Sequence, residues 1–508
     1  MIHKVRIPAR YVLVLSTFFI HTIAFCQRSV LNVAILAMVN HSSIHMYNST
    51  SSTECPKHYQ QNSTSSYKQC RVSSKKHWES SNAFFPLNGS MPYHDILLLK
   101  EVVAGSYIWT QPTQGIILGS YFYGYVLAQL TGGSITFSLG PKRSVIIFSC
   151  LSSILIILTP FCADVGVSVI SLCQSIVGLA QGLVLHGTFT LLGRWSAENE
   201  KSILSSISFS GSQVGTVVGL MITGYLCEHK GWSSSFYSFG VCGIVLSLCL
   251  TFTIYDRPQQ HPRISDKEST FLRESVANVT PRETKLNIPW KRILTSRAVW
   301  IVALAKICWG FGYYTILTKF PSYLHIIQHF PIQKNGIMSA LVYFLDALFM
   351  FTCGFIADFM KSRDYLSITN IRKFSEGIAM FGPAACILAI SFLGCESTKI
   401  IICLMIGIGL FGFNNSGDVA IVLDLAPEFA GVLFGLTTGL CNIAGILSPY
   451  VAGVILDKNA GDMGQWNYIF YMASLAYFLG GVIFIFGATA EVQPWATINT
   501  DNNKQDNN

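Results

Sequence analysis

Charge is what this sequence has least of. Only 34 basic and 26 acidic residues occur among 508, or 12%, against about 25% in an ordinary soluble domain. With 51% hydrophobic residues, the chain cannot cover itself with a solvated surface, which excludes a soluble globular protein. Metal-ligand spacing is missing as well: most of the 15 cysteines lie singly in apolar stretches, where a small polarisable side chain packs well, so no metal site is expected. No activated nucleophile, phosphate loop or acid–base constellation appears, which argues against an enzyme and against any cofactor other than a coupling sodium ion or proton. A cleavable leader is also absent, since no small-residue cleavage site follows the first apolar core, and that core should remain as a helix.

What is there instead is a series of long apolar runs. At roughly 20 residues per crossing, about twelve spans are expected, near residues 11–39, 113–137, 144–163, 167–192, 203–226, 235–255, 298–327, 336–359, 374–394, 399–423, 431–456 and 468–489. The fold class expected is an all-α polytopic membrane protein. Basic residues gather on one side of these spans: Lys4, Arg6, Arg10, Lys142, Arg143, Arg194, Lys201, the run from Arg257 to Arg297, and Lys361, Arg363, Arg372 and Lys373. By the positive-inside rule both termini are cytoplasmic, so the basic excess reflects topology and not nucleic-acid binding. The expected organisation is a cytoplasmic tail over 1–10, a six-helix bundle over 11–255 with an external or lumenal loop over 41–110, a cytoplasmic linker over 256–297, a second bundle over 298–489 and a C-terminal tail over 490–508. Sequons at Asn40, Asn48, Asn62 and Asn88 agree with an external loop, and Cys55 and Cys70 within it are placed to form a disulfide on an oxidising side. The linker, with four prolines, reads as a solvated segment with a short surface helix.

The two bundles repeat each other. Gly115, Gly133 and Lys142 recur as Gly336, Gly354 and Arg363 at one fixed offset, and Glu200, Gln213 and Gly224 recur as Glu428, Asn442 and Gly453 at nearly another. Parallel repeats of this kind place a substrate site near the midplane between halves. Small-residue ladders at Gly211, Gly215 and Gly219, and at Gly431, Gly435 and Gly439, let helices approach closely.

Within the first span stands an arginine. A charge at the centre of a membrane helix costs about 2.5–3.5 kcal/mol on insertion scales, so Arg28 needs a partner or a polar surrounding. His21, Arg28 and Asn32 fall on one helical stripe. One reading is a structural arginine held by backbone carbonyls or reaching the interface; the other is an anion site, since a guanidinium fork suits carboxylate and phosphate. Gln174 and Gln181 share a face of the fourth span, and Tyr121, Tyr125 and His186 are candidate cavity groups, though each also fits a packing role. In the second half, Lys306, Asp346 and Asp418 are ionisable within spans and should pair or face a cavity. Asp418, after Asn414, Asn415 and Ser416, is the best candidate for a cation-coupling carboxylate. Lys319 should reach the membrane surface. Asp358, Arg363, Glu200 and Lys142 read as a cytoplasmic gate.

The stretches QRSVLNVAILAMVN, TQGIILGSYFYGY, GLAQGLVLHGTF, KGWSSSFYSFG, GFIADFMKSRDYLSITNIRK and LDLAPEFAG together resemble solute carrier family 17, most of all its type I sodium/phosphate cotransporter and organic anion branch. The resemblance implies a major facilitator fold, twelve helices in two six-helix halves, and transport of phosphate, urate or other organic anions driven by sodium, protons or voltage. It implies that Arg28 is the family's helix-one arginine and that Asp358 and Arg363 belong to its loop signature after helix eight. Gln174 stands where the family usually has arginine, Gln181 where the glutamate and sialic acid branches have glutamate, and Leu118 where the glutamate branch has histidine. A monomer at the plasma membrane, including its apical surface, is expected, with a lysosomal or vesicular membrane as the alternative. Three other functional readings stay open: a proton-coupled exporter of acidic sugars, a sensor that keeps the transporter fold without turnover, and an anion channel.

Overall fold

The computed structural model describes residues 8–39, 105–196, 200–262, 264–265, 268–272, 289–363, 366–394, 396–426, 429–458 and 460–496. The four sequons, Cys55 and Cys70 lie outside the described residues. The N-terminal half contains α1 (Ala9–Met38), α2 (Gln111–Leu139), α3 (Pro141–Val165), α4 (Val167–Trp195), α5 (Lys201–His229) and α6 (Ser233–Thr253). The C-terminal half contains α7 (Arg297–Ile326), α8 (Ile332–Ser362), α9 (Ile368–Ile390), α10 (Ser397–Gly409), α11 (Asp418–Leu425), α12 (Ala430–Leu456) and α13 (Met463–Gly487). A 3₁₀ segment, Leu410–Ser416, joins α10 to α11, so the tenth span is interrupted at mid-length.

Eleven of these spans are long and apolar enough to cross a membrane. The exception is α2, which is long enough but carries glycine, serine, threonine and glutamine on faces buried against α4 and α12. Local chemistry sets several ends. The Thr110 hydroxyl accepts from the Thr113 N–H at 3.4 Å with Pro112 in the first turn of α2, and Gly140, at φ +83°, turns α2 directly into α3, a conformation that suits a residue without Cβ. At the start of α1 the Glu268 carboxylate accepts from the Ala9 and Arg10 N–H groups at 3.0 and 3.1 Å. Within the linker, where charges are expected mostly on a solvated face, Glu268 is buried and completes a helix N-terminus.

Packing follows the repeat. In the first half α1 packs on α5 and α6, α2 on α4, and α3 on α4 and α6. In the second half α7 packs on α12 and α13, α8 on the α10 span, and α9 on that span and α13, which is the same scheme. The halves meet along α2–α12 and α5–α8, again an equivalent pair. Recurrent glycines mark those seams. A Cβ at Gly115 would lie 2.4 Å from the Pro449 carbonyl of α12, and one at Gly336 would lie 2.6 Å from the Leu220 carbonyl of α5. A Cβ at Gly453 would lie 2.4 Å from the Gln111 carbonyl of α2, and one at Gly224 would lie 3.1 Å from the Gly336 Cα of α8.

The seams close at one end only. Along α2–α12 the spacing grows from Gly115 to Gly439, where the nearest atom of Gln129 is 3.6 Å from a built Cβ, and to Gly435, where it is 4.0 Å. Beyond, Gly133 and its repeat mate Gly354 meet nothing within 4 Å. The molecule is therefore shut at the end holding Gly115 and Gly336 and splayed at the basic end holding Lys142 and Arg194. The two small-residue ladders differ accordingly: a Cβ at Gly211 or Gly215 of α5 would lie 2.3 or 2.2 Å from the Phe18 or Thr22 carbonyl of α1, whereas Gly435 and Gly439 of α12 line the widening seam.

Candidate functional site

Arg28 sits near the middle of α1, half-buried, facing the junction of the halves. Its guanidinium carbon lies over five rings: Phe25 at 5.4 Å, Tyr121 at 5.1 Å, Phe122 at 5.2 Å, Tyr125 at 5.6 Å and Tyr314 at 5.9 Å. The first four belong to α1 and α2, and the fifth to α7 of the other half. Ring faces attract a cation, most strongly where water is excluded, and that attraction offsets part of the cost of holding the charge at depth. Among the described residues the ion pairs are Arg10–Glu200, Lys306–Asp418, Arg372–Asp424 and Lys399–Glu396. No carboxylate among them reaches Arg28.

The cage is braced from both sides. Tyr121 donates to the Gln181 side-chain carbonyl at 3.0 Å, Gln181 donates on to Gln27 at 3.2 Å, and Gln27 donates to Ser153 at 2.9 Å and the Phe239 carbonyl at 3.2 Å. On the far side Tyr314 donates to Asn442 Oδ1 at 2.7 Å, and Asn442 donates to the Thr438 carbonyl at 2.7 Å. Phe122 and Tyr314 meet edge to face at 4.5 Å. Each half thus fixes one tyrosine against the same guanidinium.

A model of the Major Facilitator Superfamily matches residues 17–449. The chain belongs to that superfamily. Within it, the chain is a member of solute carrier family 17: it is 31% identical to sialin of Homo sapiens over 488 residues, 96% of this chain and 91% of that one. It is 30% identical to a putative inorganic phosphate cotransporter of Drosophila ananassae over 487 residues, 95% and 93% of the two chains. It is also 30% identical to vesicular glutamate transporter 2 of Homo sapiens over 415 residues, 81% and 70%. Among solved structures it resembles a bacterial homolog of the human lysosomal transporter Spinster, in an inward-facing and occupied conformation, with a TM-score of 0.65 at 12% identity over 96% of this chain and 100% of that one. A D-xylose-proton symporter gives a TM-score of 0.64 at 10% identity, over 95% and 99%. The fold expected of a major facilitator protein is the one found.

Other sequence-derived candidates of this solute carrier family 17 member fall in different places. Asn32 is buried one turn beyond Arg28. His21 turns into the first bundle, 3.2 Å from Thr188 Oγ1 and against the Phe209 ring, so the stripe drawn through His21 and Arg28 divides. Gln174 and Gln181 are not brought to one ligand: Gln174 donates to Thr159 of α3 at 3.3 Å. His186 donates from Nδ1 to the Gly182 carbonyl at 2.9 Å and packs on Gly132. Lys319 is 2% exposed and does not reach the surface as expected.

The three gate candidates whose side chains are described, Lys142, Glu200 and Arg363, are not drawn together. Lys142 binds the end of α6, with its N–H to Asp256 at 2.8 Å and Nζ to the Thr251 carbonyl at 3.0 Å. Glu200 pairs with Arg10 at 3.2 Å, Arg363 is exposed over Phe359, and the Asp358 side chain lies outside the described residues. In the second half Lys306 and Asp418 do meet, with Nζ 3.7 Å from Oδ2. Asp346, buried on α8, joins no described ion pair. The acid that sequence reading missed is Glu376 on α9, fully buried. It lies near the predicted start of the ninth span at 374, where an acid is unremarked, but the helix begins at Ile368 and carries it two turns deeper.

Proposed function

We propose that the protein is a secondary active transporter of organic anions, working by alternating access, with Arg28 as the group that receives the cargo's negative charge. The observation that carries this is the lone guanidinium: at mid-depth, between two halves, stacked by five rings and paired with no described carboxylate. A half-buried cation inside a membrane span without a fixed counter-charge is costly, and an arriving anion removes that cost. Aromatic walls and two anchored tyrosine hydroxyls suit a planar or hydrophobic anion of the urate type better than phosphate, which is strongly hydrated. The names of the relatives, sialin, an inorganic phosphate cotransporter and a glutamate transporter, agree with an anionic cargo.

In this reading the basic end faces the cytoplasm, both termini lie there, and the splayed seam is the inward-facing state. The chain acts as a monomer with the lipid bilayer as its only constant partner. Counterflow in proteoliposomes tests the assignment: labelled urate, glucuronate and phosphate are compared with xylose as an uncharged cargo. Saturable exchange of at least one anion and none of xylose is expected. Exchange of xylose alone, or no exchange of any anion, overturns it.

A further inference from the structure

A second buried ionic site lies in the C-terminal half, away from Arg28. Lys306 of α7 and Asp418 of α11 have side chains 6% and 0% exposed, and they lie 3.7 Å apart without forming a hydrogen bond. Glu376 of α9, also 0% exposed, turns to the same place. Its Oε2 accepts from the Asp418 N–H at 3.0 Å, and its Oε1 accepts from Asn414 Nδ2 at 3.4 Å. Neither carboxylate oxygen of Asp418 has a hydrogen-bond partner, and neither does Lys306 Nζ. The backbone is arranged around this contact. Gly417 breaks the span at φ −90°, ψ −99°, and a Cβ there would lie 2.9 Å from Glu376 Cβ and 3.0 Å from its Cα, so glycine is what lets α9 bring the carboxylate this close.

We infer that Glu376 and Asp418, with Lys306 beside them, form a binding site for a single proton that couples to transport. Two ionised carboxylates and one ammonium leave one uncompensated negative charge among side chains closed to solvent, and one added proton removes it. A metal cation fits poorly. It would need about six oxygens, but both oxygens of Glu376 already accept hydrogen bonds, only those of Asp418 are free, and an ammonium stands next to them. The other titratable groups in electrostatic reach are Cys353 of α8 near Glu376 and Cys441 of α12 near Lys306 and Asp418. Arg372, one turn before Glu376 on α9, is held by Asp424 at 2.8 Å and the Ser416 carbonyl at 3.0 Å. Because the carboxylates bridge α9 to the break between α10 and α11, protonation alters the contact that ties those elements together. The two carboxyl groups titrate as a pair.

The coupling role rests on the transport reading, so the test has a part that does not. The purified full chain, wild type and the variants Glu376→Gln and Asp418→Asn, is melted between pH 5 and 9 in detergent. The wild-type midpoint should move with pH, and Glu376→Gln should hold at every pH near the value that wild type reaches in acid. In proteoliposomes an acid-outside gradient should raise wild-type accumulation of urate or glucuronate, by up to about tenfold per pH unit for one proton, and that ratio should fall to one in both variants. Arg28→Ala should lose uptake yet keep the wild-type melting profile. If it keeps uptake, the anion reading fails while the melting curves still decide the proton site. A wild-type midpoint indifferent to pH, a Glu376→Gln profile that follows wild type, or a drive by sodium and not by pH that Glu376→Gln removes would each overturn the proposal.

Discussion

The Arg28 guanidinium lies 5.9 Å from the centre of the Tyr314 ring, and of the five ring contacts this is the one that crosses from the first bundle to the second. On the proposed function, an anion drawn to Arg28 would touch both halves at once. Binding energy developed there would act on their separation, as rocking of two bundles about a fixed midplane site requires.

Tyr314 should matter through its hydroxyl as well as its ring. Tyr314→Phe removes the 2.7 Å bond to Asn442 and keeps the face turned to Arg28. A neutral hydrogen bond contributes on the order of 1 kcal/mol, so the concentration giving half-maximal uptake should rise about fivefold. Tyr314→Ala, which loses ring and hydroxyl, should weaken uptake further. Equal kinetics for wild type and both variants would take Tyr314 out of the site.

Gln181 is one hydrogen bond removed from the cage. Gln181→Glu places a carboxylate beside Tyr121, whose ring stacks on Arg28, and an internal negative charge competes with the cargo. Apparent affinity for the anion should fall roughly tenfold, about 1.4 kcal/mol, with normal protein levels in the membrane. Unchanged affinity would mean that the tyrosine does not relay charge to the arginine.

Seam geometry predicts which positions water reaches. Gly133→Cys and Gly354→Cys, at sites with nothing within 4 Å, should react with a membrane-impermeant thiol reagent applied from the basic side, and saturating anion that favours the opposite state should slow the reaction several-fold. Labelling only from the other side would reverse the assignment of open and closed ends.

The linker contributes to stability at one acid. Glu268→Ala leaves the Ala9 and Arg10 N–H groups without their acceptor, and loss of a capping group costs about 1 kcal/mol. The thermal midpoint of the purified protein should drop by a few degrees. An unchanged midpoint would show that water replaces the carboxylate there without loss.

Much of this architecture was legible because membrane spans are written in composition. The repeat was legible too, since Gly115 and Gly336 must be glycine for the same reason, a helix of the other half lying against each. Arg28 announced itself by cost. Its cage was only half visible: Tyr121 and Tyr125 lie on the next span, but Tyr314 comes from the other repeat, and nothing in spacing says which aromatic of a span turns inward. Glu376 escaped because the ninth span starts six residues earlier than hydropathy suggests, hidden behind Arg372 and Lys373, whose charges look like a helix end. Asn442 appeared as the repeat mate of Gln213, yet its partner Tyr314 is decided by packing between α7 and α12. The break at Gly417 was equally silent, since a continuous apolar run reads as one unbroken helix.

Uptake of labelled anion by reconstituted Arg28→Ala and Arg28→Lys proteins tests the central claim most directly. Hydrogen bonds to a charged group contribute about 1.5–3 kcal/mol, so the alanine variant should lose roughly 10- to 100-fold in uptake efficiency. Lysine, which keeps the charge without the planar fork, should recover little of it. Wild-type uptake by the alanine variant, at equal protein density in the liposomes, would contradict the account.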